Sequence, residues 1–243
     1  MNINKDNMIF GRNPVYEALE AGNVIKLYAV TGFSFAKITD LAKEKCIPLV
    51  YISSKEMQQI CTGSHQGIIG ITKGYHYSSL EEIIERGKNK KQPVILLLDG
   101  IEDPHNLGAI LRSADIFDVS GIVIPKHNSV SLNATVAKTS AGAINYVPVC
   151  MVNNLNNAIS KLKESGYWVV SSDGSAKVDY QDLTYDFKTV LVIGSEGKGV
   201  SRLVLSNSDY VVKIPMFGSV NSLNASVATG ILLARIRTNY GKG

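Results

Sequence analysis

Two strand-to-helix segments carry polar side chains that a purely structural role does not fully explain. In DPHNLGAILRSADIF, Asn106 and Arg112 fall outside the apolar stripe that runs from Leu107 to Phe117. The structural alternative for Arg112 is an ion pair with a neighbour across one helix turn. In TVLVIGSEGKGVSRL, Glu196 stands among glycines, where a simple turn would more naturally carry Asn or Asp. The pattern indicates a functional carboxylate in a loop whose glycines let the backbone approach a ligand closely.

A third segment, IPMFGSVNSLNASVATG, crowds Asn221, Ser222 and Asn224 at the start of a helix. Capping needs only one of these side chains, so the others are candidates for binding a ligand or for ordering other side chains. The helix is expected to bury an apolar face formed by Leu223, Val227, Ala228, Ile231 and Leu232.

Continuously apolar strands are predicted to bring these segments together. The stretches VILLLD, GIVIP, WVVSSD, TVLVIG and YVVKIP lack polar alternation, which is typical of strands buried on both faces of a parallel sheet. Ligands of such a sheet bind outside the carboxyl ends of its strands, where the loops lie. The glycine order GxxGxG in the second segment matches neither the dinucleotide pattern GxGxxG nor the phosphate loop GxxxxGK[ST], so those two kinds of site lose support.

The chain is predicted to have two domains. Residues 9–75 alternate β-type segments such as KLYAV and PLVYI with helical ones such as SFAKITDLAKEK, which is the pattern of a small α/β unit. The polar stretch SSLEEIIERGKNKKQ follows, with Ser79 and Glu82 in capping-box spacing. We therefore expect a small α/β domain at 1–76, a linker at 77–92 and a parallel-sheet domain at 93–243.

Composition argues against several classes of protein. The 243 residues contain no run of eighteen apolar residues and no apolar N-terminal stretch suited to a signal peptide, which favours a cytoplasmic protein. Cys46, Cys61 and Cys150 are far apart and show no metal-ligand spacing. Each is expected to be a buried small side chain, and no metal site is expected. The net charge of +4 permits contact with a polyanion but does not demonstrate it.

In this order the three segments resemble the three motifs of the SpoU or TrmH branch of the SPOUT methyltransferases. DPHNLGAILRSADIF is similar to the first motif, LVIGSEGKGVS to the second and IPMFGSVNSLNASVA to the third, and together they cover about Leu96 to Arg237. IFGRNPVYEAL and HQGIIG resemble the beginning and end of the substrate-binding domain that precedes the catalytic domain in one subgroup. That subgroup methylates a guanosine ribose of 23S ribosomal RNA.

The resemblance implies an S-adenosylmethionine-dependent RNA 2′-O-methyltransferase that acts as a homodimer and holds its cofactor in a deep trefoil knot. Threaded chains are otherwise nearly absent from proteins. The resemblance assigns cofactor contacts, largely through backbone groups, to Gly194, Ile214 and Leu223. The polar catalytic group that it implies comprises Asn106, Arg112, Glu196, Ser222 and Asn224. Asn221 receives no role.

Methyl transfer from a sulfonium asks the protein mainly for alignment and electrostatic stabilisation. A neutral guanidinium is costly, since the pKa of arginine exceeds roughly 12. We therefore expect a cationic Arg112 to clamp the phosphate beside the reacting ribose and to stabilise the developing alkoxide. The proton would leave through that phosphate, water or Glu196, and the alternative role of Glu196 is only to orient Arg112.

In the N-terminal domain the resemblance makes Arg12, His65 and Gln66 the candidate RNA contacts. Without the resemblance, the glycine-flanked polar loop would be interpreted as a simple turn, which is the more common case. The modest charge predicts RNA binding with a shallow salt dependence. Two alternatives stay open. In the first, the enzyme methylates a transfer RNA or another ribosomal nucleotide. In the second, the protein is a non-catalytic RNA-binding or assembly factor with the same fold. The presence of Asn106, Arg112, Glu196 and Asn224 together argues against a non-catalytic factor.

Overall fold

The computed structural model describes residues 7–220 and 222–238, which fall into two compact units divided between Tyr75 and His76. Asn221 lies outside the described residues. The predicted α/β class is confirmed, because strands and helices alternate along both units.

The first unit is a four-stranded sheet with the order β1-β4-β2-β3. Strands β2 and β3 are parallel, whereas β4 runs antiparallel to both β1 and β2. Its elements are β1 (Met8–Phe10), α1 (Arg12–Glu20), β2 (Val24–Val30), α2 (Ala36–Glu44), β3 (Leu49–Ile52), α3 (Ser54–Ile60) and β4 (Ile68–Thr72). The parallel pair of strands, β2 and β3, was predicted from KLYAV and PLVYI.

The three cysteines do not share one environment. Cys61 and Cys150 are buried, as expected, but Cys46 is exposed, so that prediction was wrong for Cys46. The reason lies in the end of α2, where Cys46 takes a left-handed backbone conformation with φ of 54°. Its amide donates to the Lys43 carbonyl and the Ile47 amide to the Ala42 carbonyl, which is the hydrogen-bond pattern of a Schellman helix end. Such a position points the side chain away from the packed helix face.

The second unit is built on a seven-stranded sheet with the order β7-β6-β5-β10-β8-β11-β9, and every strand pair in it is parallel. Its strands are β5 (Val94–Asp99), β6 (Gly121–Pro125), β7 (Val149–Val152), β8 (Trp168–Ser172), β9 (Val178–Asp179), β10 (Thr189–Gly194) and β11 (Tyr210–Lys213). Its helices are α4 (Leu80–Lys88), α5 (Pro104–Ile116), α6 (Ala134–Thr139), α7 (Leu155–Glu164), α8 (Arg202–Ser206) and α9 (Ala225–Thr238), with a 3-10 helix at Ala143–Asn145. The central strands β5 and β10 are almost entirely buried. This confirms the prediction that the continuously apolar strands are buried on both faces of a parallel sheet.

The stretch 77–92 differs from the expected linker, because helix α4 occupies most of it and packs into the second unit. The predicted capping box is present, with the Ser79 amide donating to Glu82 Oε2 over 2.7 Å and the Glu82 amide donating to Ser79 Oγ over 3.1 Å. Leu80 and Ile83 belong to the core of the second unit. A Cβ on Gly121 would overlap the Ile83 side chain, so helix and strand β6 lie in close contact.

Helix α9 buries a different face from the one expected. Its buried residues are Ala225, Thr229, Leu232, Leu233 and Ile236, whereas Val227 is 49% exposed. The helix is apolar on most of its circumference, so the sequence pattern alone does not select the face that packs.

Two kinds of feature are missing from residues 7–220 and 222–238. No helix in those ranges has the length and apolar content needed to cross a membrane. The same ranges bring no three His, Cys, Asp or Glu side chains together in an arrangement that holds a metal ion.

Candidate active site

The first side chain of the site, Asn106, is fixed by the start of helix α5. Asp103 caps this helix by accepting the His105 amide at Oδ1 over 2.9 Å, and Pro104 occupies the first helical position. Asn106 therefore lies in the first turn, directly after strand β5, and is only 8% exposed. A nearly buried carboxamide needs hydrogen-bond partners, which two other loops provide.

The second side chain, Glu196, projects from a tight loop that follows β10. Ser195 and Gly199 exchange backbone hydrogen bonds of 3.2 and 2.9 Å, so the loop closes on itself around Glu196. A Cβ on Gly194 would overlap the Gly199 carbonyl carbon and the Val200 nitrogen. Only glycine at position 194 therefore lets the end of the strand and the returning loop lie against each other.

The third side chain, Asn224, caps helix α9. Its Oδ1 accepts the Ser226 amide over 2.9 Å and the Val227 amide over 3.3 Å. This cap leaves the Nδ2 group of Asn224 to point at other partners. The sequence predicted a cap here, and the structure selects Asn224 for it.

The three side chains form one hydrogen-bonded cluster, although 118 residues separate Asn106 from Asn224. Glu196 Oε1 accepts the Nδ2 groups of Asn106 over 3.0 Å and of Asn224 over 2.6 Å. Asn224 Nδ2 also donates to Asn106 Oδ1 over 2.8 Å. The Ala225 amide donates to the same carboxylate oxygen over 3.4 Å. The carboxylate therefore sits at the N-terminus of α9, where the helix dipole favours a negative charge.

The two remaining predicted catalytic residues make no hydrogen bond to this cluster. Arg112 and Ser222 are exposed, and within residues 7–220 and 222–238 neither side chain makes a hydrogen bond or ion pair. Arg112 follows Asn106 by six residues on α5, which places the two side chains about 120° apart around the helix axis. Among the described residues, Arg112 thus forms neither the ion pair with a helix neighbour nor an ion pair or hydrogen bond with Glu196.

The predicted cofactor residues, Gly194, Ile214 and Leu223, lie in the segments that border the cluster. Ile214 and Leu223 are half-buried, and they delimit a loop whose described backbone groups, at 214–220 and 222–223, have no backbone partner in the described chain. Such groups are available to a ligand that is recognised through the main chain. A Cβ on Gly218 would meet nothing within 4 Å, so this loop borders open space.

In the first unit the structure brings together the three residues predicted to contact RNA. Gln66 Oε1 accepts the Arg12 amide over 3.0 Å, and His65 Nδ1 accepts the Gly67 amide over 3.0 Å. Sequence reasoning missed two aromatic neighbours of this group, Phe33 and Phe35. The signal was present in the stretch GFSF, which places two aromatic residues in a loop.

Comparison with known proteins decides the family. Residues 93–234 match the SpoU rRNA Methylase family. The chain belongs to the SpoU rRNA methylase family. Residues 8–78 match a second family, the RNA 2′-O ribose methyltransferase substrate binding domain. The resemblance drawn from the three motifs is therefore confirmed, and so is the expectation of an RNA 2′-O-ribose methyltransferase.

One relative and two solved structures illustrate the likeness of this SpoU methylase. It is 42% identical over 236 residues to the putative TrmH family tRNA/rRNA methyltransferase YacO of Bacillus subtilis, with 94% of each chain covered. The AdoMet-bound rRNA methyltransferase from Sinorhizobium meliloti aligns with a TM-score of 0.68 and 24% identity, covering 95% of this chain and 86% of that one. The TrmH/SpoU tRNA modifying enzyme of A. aeolicus aligns with a TM-score of 0.58 and 28% identity, covering 67% of this chain and 83% of that one. The predicted SPOUT fold is confirmed by this likeness.

Proposed function

We propose that this SpoU methylase transfers a methyl group to the ribose 2′-hydroxyl of a guanosine in 23S ribosomal RNA. The observation that carries the proposal is the cluster of Asn106, Glu196 and Asn224, which unites three distant motifs at the carboxyl edge of the parallel sheet. Capping of α9 explains the Oδ1 group of Asn224 but not its Nδ2 group, nor the carboxamide of Asn106. A polar site that exceeds structural need is the expected mark of a reaction centre.

S-adenosylmethionine is the methyl donor, and when bound it supplies a methyl group activated by the sulfonium. The loop 214–223 fits such a ligand, because its described backbone groups have no backbone partner in residues 7–220 and 222–238. We assign the hold on the cofactor to Gly194, Ile214 and Leu223. Gly194 contributes by keeping the loop after β10 close to the strand end.

The chain's own residues divide the remaining work. Glu196 and the two asparagines form a fixed hydrogen-bonded group, so their orientation costs nothing at the moment of reaction. Ser222 offers an exposed hydroxyl within the loop 214–223, two residues before Asn224, which suits contact with the reacting ribose. Arg112, a permanent cation, is exposed and available for the phosphate next to that ribose.

A homodimer is the second part of the proposal. Apolar side chains are exposed on the helices and the loop that carry the site, with Ile116 on α5 at 68%, Val227 on α9 at 49% and Phe217 in the loop at 97%. Exposed apolar side chains on the elements that carry the site support a protein interface there. A dimer contact through α5 would also bring Arg112 to the Asn106–Glu196–Asn224 cluster of the partner subunit. In its own subunit, Arg112 and Asn106 leave α5 from different faces.

The trefoil knot is the third part. Arg235 on α9 donates to the carbonyls of Gln181 and Leu183 over 2.6 and 3.4 Å, so the C-terminal helix lies against the segment between β9 and β10. In the sheet β8 and β10 separate β11 from β5, yet α9, which follows β11, lies beside α5, which follows β5. This close association is what a threaded C-terminal helix requires.

Ribosomal RNA is favoured over transfer RNA by the presence of the first unit. The tRNA modifying enzyme of A. aeolicus aligns with 67% of this chain, a share similar to that of the second unit, whereas the rRNA methyltransferase of S. meliloti aligns with 95%. A separate unit that matches a substrate-binding family suits recognition of a large folded RNA.

The test is to incubate the protein with labelled S-adenosylmethionine and either unmodified 23S ribosomal RNA or unmodified transfer RNA, and to map the methylated nucleotide. The proposal expects label on one guanosine ribose of the ribosomal RNA and none on transfer RNA. Label on transfer RNA alone would overturn the substrate assignment. Cofactor binding without transfer to either RNA would favour the assembly factor instead.

A further inference from the structure

The first unit carries two neighbouring aromatic side chains, Phe33 and Phe35, in the loop between β2 and α2. The rings of Phe33 and Phe35 lie nearly parallel, with an interplanar angle of 10° and centroids 6.1 Å apart. Phe35 is buried, with 6% of its surface exposed, whereas Phe33 is 50% exposed. We call these two rings the aromatic platform. One of its rings is held in the fold and the other is presented outward.

Backbone geometry shapes this platform. Gly67 has φ of 82°, and a Cβ there would lie 3.1 Å from both rings, so the two phenylalanines pack directly over its main chain. The preceding Gln66 also has a positive φ, of 52°, which a side chain disfavours. Strained residues of this kind persist where the surrounding structure holds them and often mark a binding site.

Polar groups suited to RNA surround the platform. The Arg12 guanidinium carbon lies 5.1 Å from the centre of the Phe35 ring, which is a cation–π contact at the edge of the exposed surface. Because His65 Nδ1 accepts the Gly67 amide, the neutral imidazole carries its proton on Nε2. Gln66 is exposed and is tied to the Arg12 amide through Oε1. The site thus combines an aromatic face, a cation and amide or imidazole donors.

We propose that the aromatic platform binds an unpaired nucleotide of the RNA substrate, with the base stacked on Phe33 and the adjoining phosphate held by Arg12. The inference rests on the proposed function, since it takes RNA as the ligand. Unpaired bases in RNA are recognised by stacking on aromatic side chains, whereas a paired base in an A-form helix offers no free face. The match of residues 8–78 to a substrate-binding family for RNA methyltransferases supports RNA over a protein partner.

The experiment compares full-length variants at Phe33 for binding to unmodified 23S ribosomal RNA transcribed in vitro. Stacking predicts that Phe33→Ala weakens RNA binding about tenfold or more and that Phe33→Leu, which keeps the apolar area but lacks an aromatic face, weakens it nearly as much. Phe33→Trp is expected to bind as well as the wild type. The matched control is Tyr51→Ala, which removes another exposed aromatic ring, 55% exposed, from strand β3 of the same unit.

A direct readout comes from fluorescence. The chain has a single tryptophan, Trp168, so Phe33→Trp in a Trp168→Phe background reports on position 33 alone. Stacking with a base is expected to quench this fluorescence when RNA is added. Affinity for S-adenosylmethionine, measured by calorimetry, is expected to stay unchanged in every variant, which also shows that the second unit remains folded.

Four outcomes separate this inference from the proposed function. Wild-type affinity in Phe33→Ala would overturn the inference while leaving the proposed function intact. Full binding by Phe33→Leu would show apolar docking without stacking and would overturn it as well. Equal loss in Tyr51→Ala and Phe33→Ala would indicate a general effect on the unit and count against the platform. A wild-type protein that binds S-adenosylmethionine but neither binds nor methylates the RNA would defeat both proposals.

Discussion

Asn224 donates its Nδ2 group to Asn106 Oδ1 over 2.8 Å, and both carboxamides donate to the same oxygen of Glu196. Each of the two asparagines is therefore oriented by the other, so a change at one position alters the geometry at both. Asn224 also caps α9 through Oδ1, and this second duty makes simple deletion of its side chain difficult to interpret.

The first prediction separates the cap from the cluster with Asn224→Asp. A carboxylate at this position keeps the acceptor for the Ser226 amide but loses the two Nδ2 donors and faces Glu196 with a like charge. We expect the thermal midpoint to change little and kcat to fall about a hundredfold or more, which steady-state kinetics and a melting curve measure. In Asn224→Asp with Glu196→Gln, a reversed donor–acceptor pair becomes possible, and recovery of part of the activity is expected. A double variant no better than the worse single variant would contradict the shared hydrogen bond.

The second prediction concerns whether Glu196 orders its neighbours or takes a proton. In Glu196→Gln the amide oxygen can still accept from Asn106 and Asn224, so an ordering role predicts a fall in kcat of less than about tenfold. Glu196→Ala removes the acceptor, and we expect a loss of about a hundredfold, in the range that positioned groups contribute. If Glu196→Gln is as inactive as Glu196→Ala, the carboxylate acts in proton removal and the ordering role is wrong.

The third prediction places Arg112 in the site of the partner subunit. Arg112 lies about 120° around α5 from Asn106, so its side chain leaves the helix from a different face than Asn106 does. Arg112→Ala and Asn224→Asp are each expected to be inactive as pure proteins while still binding S-adenosylmethionine. After unfolding and refolding as a mixture, about a quarter of the wild-type activity is expected, since half of the dimers are mixed and each has one complete site. An inactive mixture, with mixed dimers shown by mass spectrometry, would place Arg112 in its own site.

The fourth prediction tests the packing of Gly194. The Cβ of Gly194→Ala would overlap the backbone of Gly199 and Val200, which cannot move aside as a flexible side chain does. We expect a loss of unfolding free energy of roughly 1–3 kcal/mol and weaker cofactor binding, measured by denaturant titration and calorimetry. Gly174→Ala is the matched control, because a Cβ at that glycine meets nothing within 4 Å. Equal stability of the two variants would show that the loop after β10 tolerates displacement.

The fifth prediction is a loss of stability in alkaline solution. Burial raises the pKa of Tyr167 from 10.0 to about 12. Since the folded state holds this proton more tightly than the unfolded state, its contribution to stability is complete below pH 10 and is lost as the pH rises towards 12. Tyr167→Phe is expected to make the fall of unfolding free energy between pH 10 and 12 shallower, by up to about 1.4 kcal/mol per pH unit. Parallel curves for the two proteins would rule out Tyr167 as a contributor.

Much of the second unit follows from the sequence, because strands such as β5 and β10 are buried on both faces and therefore read as continuous apolar runs. The caps at Ser79 and Asp103 were also predictable, since capping depends on neighbouring residues only. The buried face of α9 was not, because an almost uniformly apolar helix gives no periodic signal. The same holds for the exposure of Cys46, which depends on how α2 ends.

The candidate site was predictable as a set of residues but not as a geometry. Asn106, Glu196 and Asn224 stood out because each exceeded local structural need, yet only the folded chain shows that one carboxylate oxygen joins them. The separation of Arg112 from that group depends on the direction of a side chain around α5, which a motif does not record. The packing of Phe33 and Phe35 over Gly67 involves residues more than thirty positions apart, and no local pattern reports such a contact.

The hydrogen bond from the Ala225 amide to Glu196 has a consequence for biosynthesis. The cluster includes the first turn of helix α9, so a nascent chain that ends before the Asn224 cap of α9 has strands β5 to β11 but lacks two of the hydrogen-bond donors to Glu196. Docking of the C-terminal helix then assembles the amide cluster and the cofactor loop in the same event. A chain arranged in this way completes the candidate site only after α9 has been synthesised and has docked.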